Sequence, residues 1–139
     1  MGAPRSFSIE NPAGRLILAR VGTPIDVAQQ AVFRELLGST LQVIPGKVVI
    51  CVDLRSATVF APDVAEGFAA IMRSDNPKLE RSGFLVGESA LFGLQIERMI
   101  RAAASPARRA FRDAQEVGAW LGEGLGSQEL RALTTFLTL

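Results

Sequence analysis

Between Lys47 and Asp53 the chain runs through Val48, Val49, Ile50, Cys51 and Val52 without a polar residue. A run this short, β-branched and unalternating has the pattern of a parallel strand covered on both faces, not of a strand with one wet side. Such a strand needs helices above and below it and crossover connections to its neighbours. The flanking chain should therefore alternate strands with helices.

The remaining segments follow that alternation. Residues 6–10 and 15–21 read as two strands joined by Asn11, Pro12, Ala13 and Gly14, residue types suited to a tight turn. Thr23, Pro24 and Asp26 read as an N-cap, a proline at the first helical position and an acid completing a capping box. The helix they open carries Ile25, Ala28, Val32 and Leu36 on one face, widened by Phe33 and Leu37, and Gly38 is placed to stop it. After the central strand a polar loop over 54–61 leads to Pro62 and a second helix with Val64, Phe68 and Ile71 or Met72 inward. Asp75, Asn76 and Pro77 end it.

Residues 82–87 give another buried strand. Ser89 caps a third helix, with a stripe of Phe92, Ile96, Met99, Ile100 and Ala103 that Ser105 and Pro106 terminate. Residues 107–112 make a short edge strand, and Asp113 caps a fourth helix bearing Val117, Trp120 and Leu121. Gly122, Gly124 and Gly126 follow a helix instead of joining a strand to one, so they read as a flexible link and not as a phosphate-cradling loop. Ser127 then caps a last helix with Leu130, Leu133 and Leu137 on one side. The expected fold is α/β, a mixed and mostly parallel sheet with an N-terminal hairpin and alternating helices. One domain over residues 1–139 is expected, with 126–139 as a C-terminal helical extension.

Composition narrows function by what it lacks. The 139 residues include no His, no Tyr and a single Cys. A Ser-His-Asp or Cys-His arrangement and an imidazole metal ligand are both excluded, and one thiol cannot build a zinc site. Fifteen basic residues against fourteen acidic ones provide no overall field for nucleic acid. Residues 1–10 hold no apolar stretch of signal-peptide length, and no segment approaches the ~20 apolar residues of a membrane span. With one unpaired cysteine, a reducing, cytoplasmic location is expected. No cofactor and no metal are expected.

The hairpin–helix–strand opening, then Val52, Asp53, Leu54 and Arg55, a loop with Val59 and Phe60, and a helix from Pro62 resemble the anti-sigma-factor-antagonist (STAS) superfamily. The likeness is closest to its small stand-alone bacterial STAS/SEC14-like branch. Arg109 to Arg112, Glu116, Trp120 and Leu121 are similar to the way that branch ends. The resemblance covers residues 6–122 in order of elements. It implies a non-catalytic regulatory module that binds a protein partner, with a switch at the loop before the second helix. In signalling members a Ser in that loop accepts a phosphate. Here the matching stretch is Phe60, Ala61, Pro62, Asp63 and Val64, with no hydroxyl at the matching place. The expected partner surface comprises Arg55, Ser56, Thr58, Phe60, Pro62 and Asp63.

Other residues bear on chemistry directly. Leu91 and Leu94 fall off the core stripe of the third helix, in the sector of Arg98 and Arg101. Apolar anchors with a cationic rim have the make-up of an interface with another protein or a second copy in a homodimer. Arg98, Arg101, Arg108, Arg109 and Arg112 also read as an anion site, or alternatively as helix-end and edge-strand charges. Asp53 ends a central strand, where it reads as a loop-capping carboxylate or, with Glu88, as an acid–base pair. Cys51 reads as a buried core thiol. A carrier of a small apolar or lipid ligand and a carboxylate-only enzyme remain as alternatives to the interaction module.

Overall fold

A computed structural model describes residues 6–138; residues 1–5 and 139, the ends of the expected domain, lie outside the described residues. Five strands form one sheet in the order of the chain: β1 (Phe7–Ala13), β2 (Leu16–Val21), β3 (Val48–Asp53), β4 (Leu79–Leu85) and β5 (Arg108–Phe111). β1 pairs antiparallel with β2, and every later pair is parallel. The helices are α1 (Val27–Val43), α2 (Pro62–Asp75), α3 (Ala90–Ala103), α4 (Ala114–Gly122) and α5 (Ser127–Leu137). This is the mixed, mostly parallel α/β sheet that the sequence predicts, and all six residues of β3 are buried.

Alternation along the strands divides the core in two. Ile17, Ile50, Val52 and Phe84 face α1, α2 and α3, whereas Leu16, Leu18, Val49 and Cys51 face α4 and α5. Aromatic rings run through the first layer. Phe7 meets Phe33 at 5.4 Å between centroids, Phe33 meets Phe68 at 5.5 Å, Phe68 meets Phe60 at 5.1 Å and Phe60 meets Phe92 at 5.3 Å.

The hairpin is tighter than the turn read from residues 11–14. β1 continues to Ala13, which pairs with Leu16, so only Gly14 and Arg15 turn, with Gly14 at φ +49°. Asn11 instead supports the turn, its side-chain amide donating to the carbonyls of Gly14 (3.0 Å) and Leu16 (2.8 Å). Pro12 sits where the β1–β2 register shifts on an edge strand, a place that tolerates a missing N–H.

α1 differs most. Asp26, not Thr23, caps it by accepting from the Gln29 N–H at 2.8 Å, because the Thr23 hydroxyl accepts the Thr58 N–H at 3.0 Å. Its buried residues are Gln30, Phe33, Leu37 and Leu41, while Ala28, Val32 and Leu36 are exposed. The helix turns toward the large ring of Phe33, which finds Phe7 and Phe68. Gly38 does not end it. A helical glycine costs only about 1 kcal/mol, and continuing to Val43 buries Leu41 and brings Ile44 into the core.

The remaining corrections are local. β4 begins at Leu79, three residues before the expected Ser82. α5 is capped at Gly126 and not at Ser127, because the Glu129 carboxylate accepts the Gly126 N–H at 2.8 Å. The buried stripe of α5 is Leu133, Phe136 and Leu137, and Leu130 is 38% exposed. The glycine link is pinned: Arg15 donates to the Gly124 carbonyl, and Arg81 pairs with Glu123 at 2.8 Å. Glu129 extends further, accepting the Arg15 N–H at 2.9 Å and so tying α5 to the hairpin.

Leu133→Ala should lower stability by about 2–5 kcal/mol, the range for a buried leucine, and Leu130→Ala by under about 1 kcal/mol. Urea unfolding of the two variants checks the difference.

Candidate functional site

Strand β3 ends on Asp53, 5% exposed, and its carboxylate organises the loop that follows. Oδ1 accepts from the Arg55 N–H and Nε, both at 3.0 Å, and Oδ2 accepts from Arg55 Nη2 at 3.1 Å and Arg20 Nη1 at 2.7 Å. Arg20 also donates to the Phe136 carbonyl at 2.9 Å and stacks over the Phe136 ring at 4.1 Å. Asp53 thus anchors the loop and, through Arg20, reaches α5. Both oxygens are engaged by arginine and Glu88 is exposed, so the structure does not bring the two together as an acid–base pair.

The loop over 54–61 is held at three points. Besides Asp53, the Thr23 hydroxyl takes the Thr58 N–H, and the Gln95 side chain grips Phe60 twice. The Phe60 N–H donates to Gln95 Oε1 and Gln95 Nε2 donates to the Phe60 carbonyl, each at 2.8 Å. Arg55, Ser56, Thr58, Pro62 and Asp63 are exposed. Phe60 is 4% exposed with its ring in the core, so its side chain forms no part of the expected surface. Its apolar bulk supplies the reason. Asp63 lies in the first turn of α2, where it accepts the Val64 N–H at 2.9 Å and suits the helix dipole.

On α3, Leu91 is 68% exposed and Leu94 60%. Gln95 is one helical turn from Leu91 and from Arg98, so the residue that grips the loop also adjoins this patch. The patch therefore begins one helical turn from the side chain that grips the loop. Arg98 and Arg101 are exposed and have no ion-pair partner among the described residues.

The five arginines do not gather into one anion site. Arg109 lies over the Phe111 and Trp120 rings, at 5.1 and 5.3 Å, on the other face of the sheet. Arg108 is 6% exposed, inside the protein. Its Nη2 donates to the Met72 carbonyl at 2.6 Å and to Asn76 Oδ1 at 3.1 Å, at the C-terminal end of α2. Burial lowers its guanidinium to about 10 against the pull of Asp75, and burial raises the Asp75 carboxyl against the pull of Arg108 and Arg34.

Arg108, Asp75 and Ser82 line one part of a cavity of about 60 Å³ between the sheet and α1–α3, whose other walls are apolar. The Ser82 hydroxyl has no hydrogen-bond partner among the described residues. Sequence reasoning missed this cavity, the Gln95 grip and Arg20. A polar residue on a helix flank or strand gives no local sign of its remote partner. Among the described residues no three His, Cys, Asp or Glu side chains gather as a metal site, and no helix is long and apolar enough to cross a membrane.

Two outcomes check the site. Asp53→Ala, which leaves Arg20 and Arg55 without their carboxylate, should cost about 2–4 kcal/mol by urea unfolding. Burial, helped by Asp53, pushes the Cys51 thiol up to about 12. Because the thiolate forms only near that pH, native protein should resist iodoacetamide at pH 8 and react once unfolded.

No protein-family model matches the chain, and no curated protein sequence does. Its fold matches the crystal structure of an uncharacterized protein from the DUF3478 family with a SpoIIAA-like fold, from Shewanella loihica PV-4. The TM-score is 0.66 at 13% sequence identity, over 87% of this chain and 98% of that one.

Proposed function

With a SpoIIAA-like, STAS-like fold as the premise, we propose that the chain is a non-catalytic, partner-binding regulatory module. Its contact surface runs from Arg55, Ser56, Thr58, Pro62 and Asp63 across to Leu91, Leu94, Arg98 and Arg101. The observation that carries this reading is the exposure of Leu91 and Leu94, 68% and 60%, on a helix whose other large apolar residues serve the core. Isolated exposed leucines need no explanation. Two a single turn apart, beside arginines without an ion-pair partner among the described residues, make an anchor with a charged rim. The partner that fits is a protein with an apolar face edged by carboxylates. Ala61 and Pro62 bring no hydroxyl to the place where the family carries its phosphate, so the surface works without that switch.

A second reading, a carrier of a small ligand, draws on the internal cavity and its unpartnered hydroxyl.

Leu91→Ser with Leu94→Gln tests the first reading. Stability should change by under about 1 kcal/mol, while association seen by native mass spectrometry and pull-down with the wild-type chain is lost. A loss of several kcal/mol would place both side chains in the core and overturn the surface. Dimer dissociation in the variant would identify the partner as a second copy.

A further inference from the structure

A hydroxyl or guanidinium buried in an apolar layer is costly unless it finds partners. Ser82 is 1% exposed and its Oγ has no partner among the described residues. Arg108 is bonded only to neutral acceptors, Met72 and Asn76, and its Nη1 engages none among the described residues. These two side chains stand next to each other. Ser82 and Arg108 are register partners across β4 and β5, and paired residues of a parallel ladder share a face. Both line the cavity, and the walls that continue from them, among them Ile50, Phe84, Ile71 and Met99, are apolar. Donors with hydrogen-bonding capacity left over at one end and a hydrocarbon lining at the other are the two halves of an amphipathic site.

We propose that this cavity binds a monocarboxylate of two or three carbons, with its carboxylate on Arg108 and Ser82 and its methyl or ethyl group toward the apolar walls that continue from them. The assignment rests on the carrier reading and adds to it the ligand's charge, size and contacts. A guanidinium matches a carboxylate with charge-assisted hydrogen bonds, and the serine supplies an O–H to the second oxygen. The cavity's 60 Å³ corresponds to about four water-sized spheres, enough for the non-hydrogen atoms of acetate or propanoate and too little for a longer acyl chain. Asp75 lines the same end and is the anion that competes with the ligand for Arg108. Removing its charge therefore strengthens the site.

The experiment is calorimetric titration and thermal shift of the full chain with acetate and propanoate, against acetamide and ethanol. Acetate or propanoate should bind with one-to-one stoichiometry, about tenfold or more tighter than the neutral analogues. Ser82→Ala should leave the melting temperature of the free protein unchanged or raised, since it removes an unpartnered hydroxyl, yet weaken the carboxylate by about fivefold. Asp75→Asn should tighten it, and Arg108→Gln should abolish it. If Arg108→Gln fails to fold, the Ser82 and Asp75 variants decide. Neutral analogues binding as tightly as the acids would overturn the carboxylate assignment and leave the carrier reading standing. No binding by any of the four would overturn both. Unchanged acetate affinity in Ser82→Ala would remove the site from this cavity.

Discussion

β3 has no exposed residue, and the surrounding architecture answers to that fact. A sheet strand buried on both faces must be roofed twice. α1, α2 and α3 cover one side, with a chain of phenylalanine rings from Phe7 to Phe92, and α4 and α5 cover the other. Parallel pairing of β2, β3, β4 and β5 requires crossovers, and those crossovers supply the first three helices and α3's link to the edge. The short edge strand β5 pairs with β4, and its Arg108 ties it to the carboxyl end of α2.

The same arrangement fixes the geometry of the proposed contact surface. β3 delivers Asp53 to the carboxyl end of the sheet, the region where open α/β sheets place their working loops. There the carboxylate holds Arg20 and Arg55, and Gln95 holds Phe60 by its backbone. Three anchors leave the loop's outward side chains on a fixed surface beside Leu91 and Leu94. A preorganised surface loses little conformational freedom when it binds. Beneath it, the helix layer leaves a space that the aromatic rings do not fill.

Much of this was legible in the chain because it depends on local pattern. The run at Val48–Asp53, the stripes of α2 and α3, and the caps at Ser89 and Asp113 each follow from residues within a turn or two of one another. The outward placement of Leu91 and Leu94 followed from helical angle alone. The face of α1 was misread because Val32 and Leu36 have the right spacing, while Phe33's partners lie 26 and 35 positions away in Phe7 and Phe68. Arg108 was grouped with surface arginines because its acceptors belong to α2. The cavity had no sign in any one residue, since a void reflects how three helices seat against a sheet.

α5 joins the fold through contacts of very long sequence separation. Glu129 meets Arg15 across 114 residues, and Arg20 meets the Phe136 carbonyl across 116. During synthesis all five strands leave the ribosome before this helix does. Until it arrives, Leu16, Leu18 and their neighbours on the hairpin side of the sheet lack the cover that Leu133 and Phe136 provide. A chain emerging from the ribosome therefore leaves this half of the second layer uncovered until α5 follows. Closing the second layer over the hairpin strands falls to α5, the last helix among the described residues.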